Sequence, residues 1–414
     1  MAPSRRVVVT GVGVVSPFGK GAETLFSCLS EGKSAVIPMP ELAEIDGVDT
    51  GVAGVIRDID FTAIPRKIRR SMSKMSMYTY LAVEEALEQA GLFGADLSDG
   101  VLTDGHAGVS IGSTLGSSET FEEFFRYYLP SKSISEIKAM TFFRIMGHSV
   151  AANIAQAFGI TGRVLAPAAA CSSGSQAIGL GFEAIANSVQ DIMICGGADE
   201  YHPLTSATFD KILAASTGFN DTPHKTPRPF DSTRDGVVCA EGAGILLLEA
   251  YDSAVARNAH ILAEIVGFAS CSDPSSIASP DPMPVFTTMK KALANASVDP
   301  ECVSYVNAHA TGTVQGDMAE AKAIAMLIGD AAPVSSLKGH LGHTMAASGA
   351  IETVASIMMM KHNIVLPTLN LKKPAEECQG IQHVFVQRHH KMDCVLKNNF
   401  ALGGINCSLV LRKI

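Results

Sequence analysis

One cysteine and two distant histidines are the residues of this sequence best placed to do chemistry. Cys171 sits among small residues in APAAACSSGSQAIG, residues 166–179. The stretch that follows reads as a helix, with Ile178, Phe182 and Ile185 along one face. A thiol that opens a helix meets the positive end of its macrodipole, which predicts a lowered pKa and a nucleophilic thiolate. The flanking alanines and glycines leave room for a substrate. His309 follows a strand-like run in NAHATGTVQGDMAE (307–320), and Lys338 and His343 follow another in SSLKGHLGH (335–343). In parallel α/β sheets functional side chains gather at the carboxyl ends of strands. A lone buried cysteine or packing histidine is the commoner outcome for either residue type. Here all three fall at strand ends, in matched parts of two halves of the chain, which predicts that they converge.

The elements that must position them alternate. Apolar runs punctuated by glycine predict strands at 6–15, 107–117, 191–200, 243–251 and 261–273. Helical spacing predicts helices at 78–91, 286–296, 317–327 and 345–361, with further strands starting at 303 and 333. CVLKNNFALGGINCSLVLRK (394–413) reads as two strands around a glycine turn. Such alternation predicts an α/β fold with parallel strands. The two halves share an order of elements, and the small-residue helices at 171–188 and 344–361 correspond. The seam falls near 252–260, giving an N-terminal half, 1–255, with the cysteine and a C-terminal half, 256–414, with the histidines and lysine. The polar, proline-bearing stretch 217–236 is expected to be a surface or site-lining loop and not a domain boundary.

Bulk properties narrow the class. A chain of 414 residues, 47% hydrophobic, can bury a large core. A net charge of −9 argues against nucleic acid as partner. The nine cysteines form no CxxC pair, which predicts reduced thiols in a cytoplasmic protein and no thiolate zinc site. No signal peptide and no membrane span are expected.

Cys171 with AHATGT (308–313), KGHLGH (338–343), FDSTRDG (230–236) and GGIN (403–406) resembles the elongating β-ketoacyl-acyl-carrier-protein synthases, over essentially the whole chain. The resemblance implies the thiolase fold, two βαβαβ halves forming a five-layer α-β-α-β-α sandwich. It implies that Cys171 accepts an acyl chain from an acyl carrier protein and that His309 and His343 donate to the malonyl thioester oxygen. The backbone N–H groups of Cys171 and Leu402 would hold the oxyanion. Lys338 would organise the site with Glu352. Thr311 and Thr313 would bind the phosphopantetheine arm, and Asp317 and Glu320 would support from behind, although both also suit a helix N-terminus. Substrates ride on the carrier, so neither cofactor nor metal is implied. The acidic carrier would dock on Lys67, Arg69 and Arg70 of RKIRR (66–70). A dimer is implied through the edge near TGRVLAPA (161–168), either of two copies or with a chain-length-factor homologue.

Three departures matter. The gate turn reads ALGG (401–404), with Leu402 where an aromatic is usual and Phe400 two residues before it. His340 is an additional histidine. The nucleophile context AACSSG is a variant. These features favour the ketosynthase subunit of a type II polyketide system over fatty-acid elongation. A thiolase would need a second cysteine as base, and Cys407 lies in the expected region but outside the thiolase motif. A non-catalytic chain-length factor would lack Cys171.

Overall fold

The computed structural model describes residues 5–93 and 100–414. The ends of the N-terminal half at 1–4 and its stretch at 94–99 lie outside the described residues. In the first half the principal strands, apart from two-residue strands at Gly19–Lys20, Ile37–Pro38 and Val52–Ala53, are β1 (Val7–Ser16), β2 (Ala107–Gly112), β3 (Val164–Leu165), β4 (Ile192–Asp199) and β5 (Gly242–Ala250). They lie in the order β1-β5-β4-β2-β3. In the second half they are β6 (Ala263–Ser272), β7 (Tyr305–Asn307), β8 (Pro333–Ser335), β9 (Gln382–His383), β10 (Cys394–Phe400) and β11 (Ile405–Arg412). Their order is β6-β11-β10-β7-β8-β9. Strand for strand the first five positions match, which is the duplication the sequence pattern predicts. The halves join edge to edge where β1 and β6 pair antiparallel, Val7 opposite Ile265 and Val9 opposite Ala263.

The sheet is mixed, which corrects the expectation of parallel strands. In each half the two outer pairings, β4 with β2 and β2 with β3, or β10 with β7 and β7 with β8, are parallel. The inner pairings, β1 with β5 and β5 with β4, or β6 with β11 and β11 with β10, are antiparallel. The turn between β10 and β11, residues 401–404, is too short for a crossover and forces an antiparallel return.

Helices complete the layers. α1 (Lys74–Gln89) and α2 (Ser149–Phe158) cover the outer face of the first half-sheet, and α4 (Pro282–Asn295) and α5 (Val314–Leu327) cover the second. Between the half-sheets lie α3 (Ser173–Ala186) and α6 (Ser348–His362), which touch each other and strands of both halves. The small residues of these two helices have a steric reason. A Cβ on Gly174 would lie 2.5 Å from the Ala346 carbonyl oxygen, and one on Gly349 would lie 2.5 Å from the Ser175 nitrogen. The two helix starts therefore press backbone to backbone, in reciprocal fashion. No described helix is long and apolar enough to cross a membrane.

Candidate active site

Each of the paired helices begins with the same backbone device. Residues 170–172 and 345–347 are single 3-10 turns leading into α3 and α6. Each turn starts on a strained left-handed residue, Ala170 at φ 44° and Met345 at φ 50°. Cys171 is the second residue of the first turn, so the helix proper begins two residues after it. The Ser172 hydroxyl ties this turn to the other half, donating to the carbonyls of Asn399 and Ile405 at 3.0 and 2.8 Å.

His309 and His343 reach the cysteine from the second half. A ligand atom of each of the three residues lies within 4.8 Å of the others. The imidazole rings meet edge to face, with centroids 5.2 Å apart. These are the only three described His, Cys, Asp or Glu side chains near enough together to grip a metal ion. All three line a cavity of about 310 Å³ with Thr311, Thr313 and Leu402. The sequence-predicted set is thus brought together.

The thiol's charge state differs from the sequence expectation. Burial pushes the Cys171 thiol up to about 11, and the backbone N–H of Leu402, the charge of Lys338 and its own N–H only partly oppose this. Desolvation dominates because Cys171 is only 5% exposed. His309 and His343 are held well below the usual histidine range, first by burial and then by Lys338. The resting site is a neutral thiol among neutral imidazoles. Both ring nitrogens of His343 are buried without a hydrogen-bond partner. Its backbone is fixed across the halves instead, its N–H donating to the Val238 carbonyl at 2.7 Å and its carbonyl accepting from Ala240 N–H at 2.8 Å.

Behind the histidines lies a buried polar layer. Lys338 donates to Glu352 Oε1 at 2.6 Å, as expected from the sequence, and neither lines the cavity. Glu320 accepts from the backbone N–H groups of His309 and Ala310 at 2.9 and 2.7 Å. Asp317 accepts from those of Phe230, Thr311 and Gly312 at 2.7–3.1 Å. Burial raises both carboxyls, Asp317 to about 7. The two acids therefore shape the 309–312 turn, and Asp317 also clamps the 230–236 stretch onto it. Asp235 and Gly236 of that stretch, with Val237 just after it, line the cavity. The Thr311 and Thr313 hydroxyls are 3.1 Å apart on the cavity wall. Phe400 packs beside His309, ring centroids 6.1 Å apart, and Leu402 is 42% exposed at the cavity's edge.

Other expectations fare differently. Lys67, Arg69 and Arg70 lie on or just after a short helix, Arg66–Arg69, away from the cavity. Lys67 and Arg70 are exposed, whereas Arg69 is half-buried and donates to the Phe61 carbonyl at 2.9 Å, so it is a poorer docking group than the sequence suggests. His340 does not reach the site. It is buried with its ring nitrogens on the Lys33 and Pro367 carbonyls at 3.0 and 3.3 Å. Cys407 is packed in the core beside the Ser270 hydroxyl and does not line the cavity, so a thiolase-like second cysteine is absent from it.

Sequence reasoning missed three residues. Lys397 is a second fully buried lysine, its Nζ 2.8 Å from Glu352 Oε2. Asn399 contacts His309, its Nδ2 3.2 Å from the ring Nδ1. Asp199 accepts from Thr114 and from the N–H of Ala346, and burial raises its carboxyl to about 7. The polar KNNF within an otherwise apolar strand was the available signal for the first two.

Comparison with known proteins defines the class. The Beta-ketoacyl synthase N-terminal domain matches residues 4–254 and its C-terminal domain residues 262–372. The chain belongs to the β-ketoacyl synthase family and is a condensing acyltransferase with the thiolase-like ketosynthase fold. It is 34% identical to the granaticin polyketide putative beta-ketoacyl synthase 1 of Streptomyces violaceoruber, over 99% of both chains. It is 32% identical to 3-oxoacyl-[acyl-carrier-protein] synthase 1 of Escherichia coli, again over 99% of both. A beta-ketoacyl synthase structure from Burkholderia phymatum superimposes with a TM-score of 0.95 at 40% identity, covering 99% of this chain and all of that one.

Proposed function

We propose that this chain is the catalytic ketosynthase of a type II polyketide system, a cytoplasmic enzyme that extends a Cys171-bound acyl chain with malonyl units delivered on an acyl carrier protein. The observation that carries the reading is the convergence of Cys171, His309 and His343 within 4.8 Å on one cavity. Leu402 at the gate and the likeness to the granaticin enzyme favour the polyketide setting.

In the first half-reaction Cys171 Sγ attacks the acyl thioester while its proton passes to the unpartnered His343. The carrier thiolate leaves and takes that proton, so the neutral resting state is restored. Malonyl-carrier then enters, its arm held by Thr311 and Thr313. Its carboxylate departs as CO2, and the electron pair left behind forms an enolate whose oxygen accepts from His309 and His343. The enolate carbon attacks the acyl-cysteine carbonyl. The backbone N–H groups of Cys171 and Leu402 hold the resulting oxyanion, which collapses to expel the Cys171 thiolate. That thiolate regains a proton from solvent. Burial, and after it the charge of Lys338, keeps both imidazoles neutral, Glu352 holds Lys338 in place, and Asp317 and Glu320 hold the 309–312 turn. No step draws on a metal or cofactor.

Lys67 and Arg70 supply the carrier's docking contact, with Arg69 fixing their helix. The outer edge of β3, where Val164 is 44% exposed, provides the dimer seam with a second copy or a chain-length-factor homologue. The two functional halves run 1–255 and 256–414.

Intact mass after incubation with a panel of acyl-carrier thioesters tests the reading. A single acyl adduct, absent from Cys171→Ala, is expected, with short or polyene-type chains preferred. Preference for saturated medium chains would return the chain to fatty-acid elongation. No adduct even with a co-encoded homologue present would overturn the role of Cys171.

A further inference from the structure

Lys397 and Asn399 lie on the same face of β10, two residues apart, turned toward the middle helices. An ammonium group has hydrogens only and can accept nothing. Lys397 Nζ lies 2.7 Å from one amide atom of Asn399, so that atom is the carbonyl oxygen. The Ser175 hydroxyl donates to the same atom at 2.7 Å. The other amide atom is then the NH2 group. It faces the Ser348 hydroxyl at 3.1 Å and His309 Nδ1 at 3.2 Å. A flipped amide would set NH2 against the ammonium and is excluded on chemical grounds. His309 Nδ1 therefore accepts, and the ring's proton resides on Nε2.

Lys397 is itself held in place. Glu352 stands between it and Lys338, at 2.8 and 2.6 Å. All three side chains are buried, and Lys397 also donates to the Asn398 carbonyl.

We propose that Lys397, acting through the Asn399 amide, is a positioning residue that fixes His309 as its Nε2–H tautomer and so presents it as a hydrogen-bond donor. The consequence for condensation rests on the functional reading above, since only a donor can stabilise an enolate oxygen. The tautomer does not depend on that reading.

The test is long-range proton–nitrogen NMR on 15N-histidine-labelled protein at neutral pH, with the His309 ring assigned by its loss in His309→Gln. Wild type is expected to give one neutral ring protonated on Nε2. Lys397→Met frees the amide to turn and is expected to give both tautomers. Asn399→Asp replaces the donor by an acceptor and is expected to move the proton to Nδ1. In that variant Cys171 should still take up an acyl chain by intact mass, while condensation falls about 100-fold, the lower range for a misplaced proton donor. A wild-type ring protonated on Nδ1, or charged, overturns the proposal. So does a Lys397→Met spectrum showing only the Nε2–H form. If Asn399→Asp fails to fold, the wild-type and Lys397→Met spectra decide alone. The expected wild-type spectrum without any acyl adduct would defeat the functional reading and leave the tautomer standing.

Discussion

The two elbows at the head of α3 and α6 are built alike and used differently. Both open on a left-handed residue, both make one 3-10 turn, and both continue through a serine and glycine into a helix. Counting from Ala170 and Met345, Ala346 stands where Cys171 does, and Ala177 stands where Glu352 does. The first elbow offers its second residue to the cavity. The second turns that residue inward, its N–H on Asp199 and its carbonyl against Gly174 and Gly197. Its helix carries instead the carboxylate that pairs both buried lysines. The fold thus supplies a reactive position twice, and one copy was spent on packing and charge.

Making the halves more alike should break the protein in graded ways. Glu352→Ala gives α6 the residue that α3 has and strands Lys338 and Lys397 without their counter-ion. Removing one partner from a buried charge set costs ~3–5 kcal/mol, and urea unfolding should show a loss of that size. An unchanged midpoint would mean that the lysines are neutral or solvated. Ala346→Cys places a thiol at the second elbow. The tight backbone contact there should make it overpacked by about 1–3 kcal/mol, and in a Cys171→Ala background it should gain no acyl adduct by mass. An adduct at 346 would show that the elbow alone confers reactivity.

The third prediction concerns protons and is smaller. His309 and His343 are kept neutral in the folded protein, first by burial. Below pH about 6.5 the unfolded chain binds protons that the folded chain refuses, so stability falls as pH drops through that value. Each histidine contributes a slope of up to about 1.4 kcal/mol per pH unit. His343→Asn should flatten the acid limb of a stability-against-pH curve by one such share. An unaltered limb would place the acid sensitivity elsewhere.

The same contrast explains what could be read in the sequence. Cys171 and Gly174, and their counterparts Ala346 and Gly349, stand out because two backbones touch there and only small residues fit. His309 and His343 stand out because each follows a recognisable strand. The thiol's pKa was misjudged since the helix dipole can be inferred from neighbours in sequence, while desolvation depends on loops brought from elsewhere. The mixed strand directions were missed because periodicity reports burial and not the sense of pairing. Lys397 and Asn399 gave one sign, the polar KNNF in an apolar strand, which is easily passed over since a lysine in a strand ordinarily faces water. Its buried partner, Glu352, lies 45 positions earlier.

His343 takes its backbone position from Val238 and Ala240, and the turn bearing Cys171 is tied to Asn399 and Ile405. Each half therefore holds the other's reactive group by the main chain. The catalytic centre is in effect a subunit interface sealed within one polypeptide. Such a chain, severed in the connection between its halves, would yield two fragments each incompetent alone, and reunion of the pieces would restore the centre only as a whole.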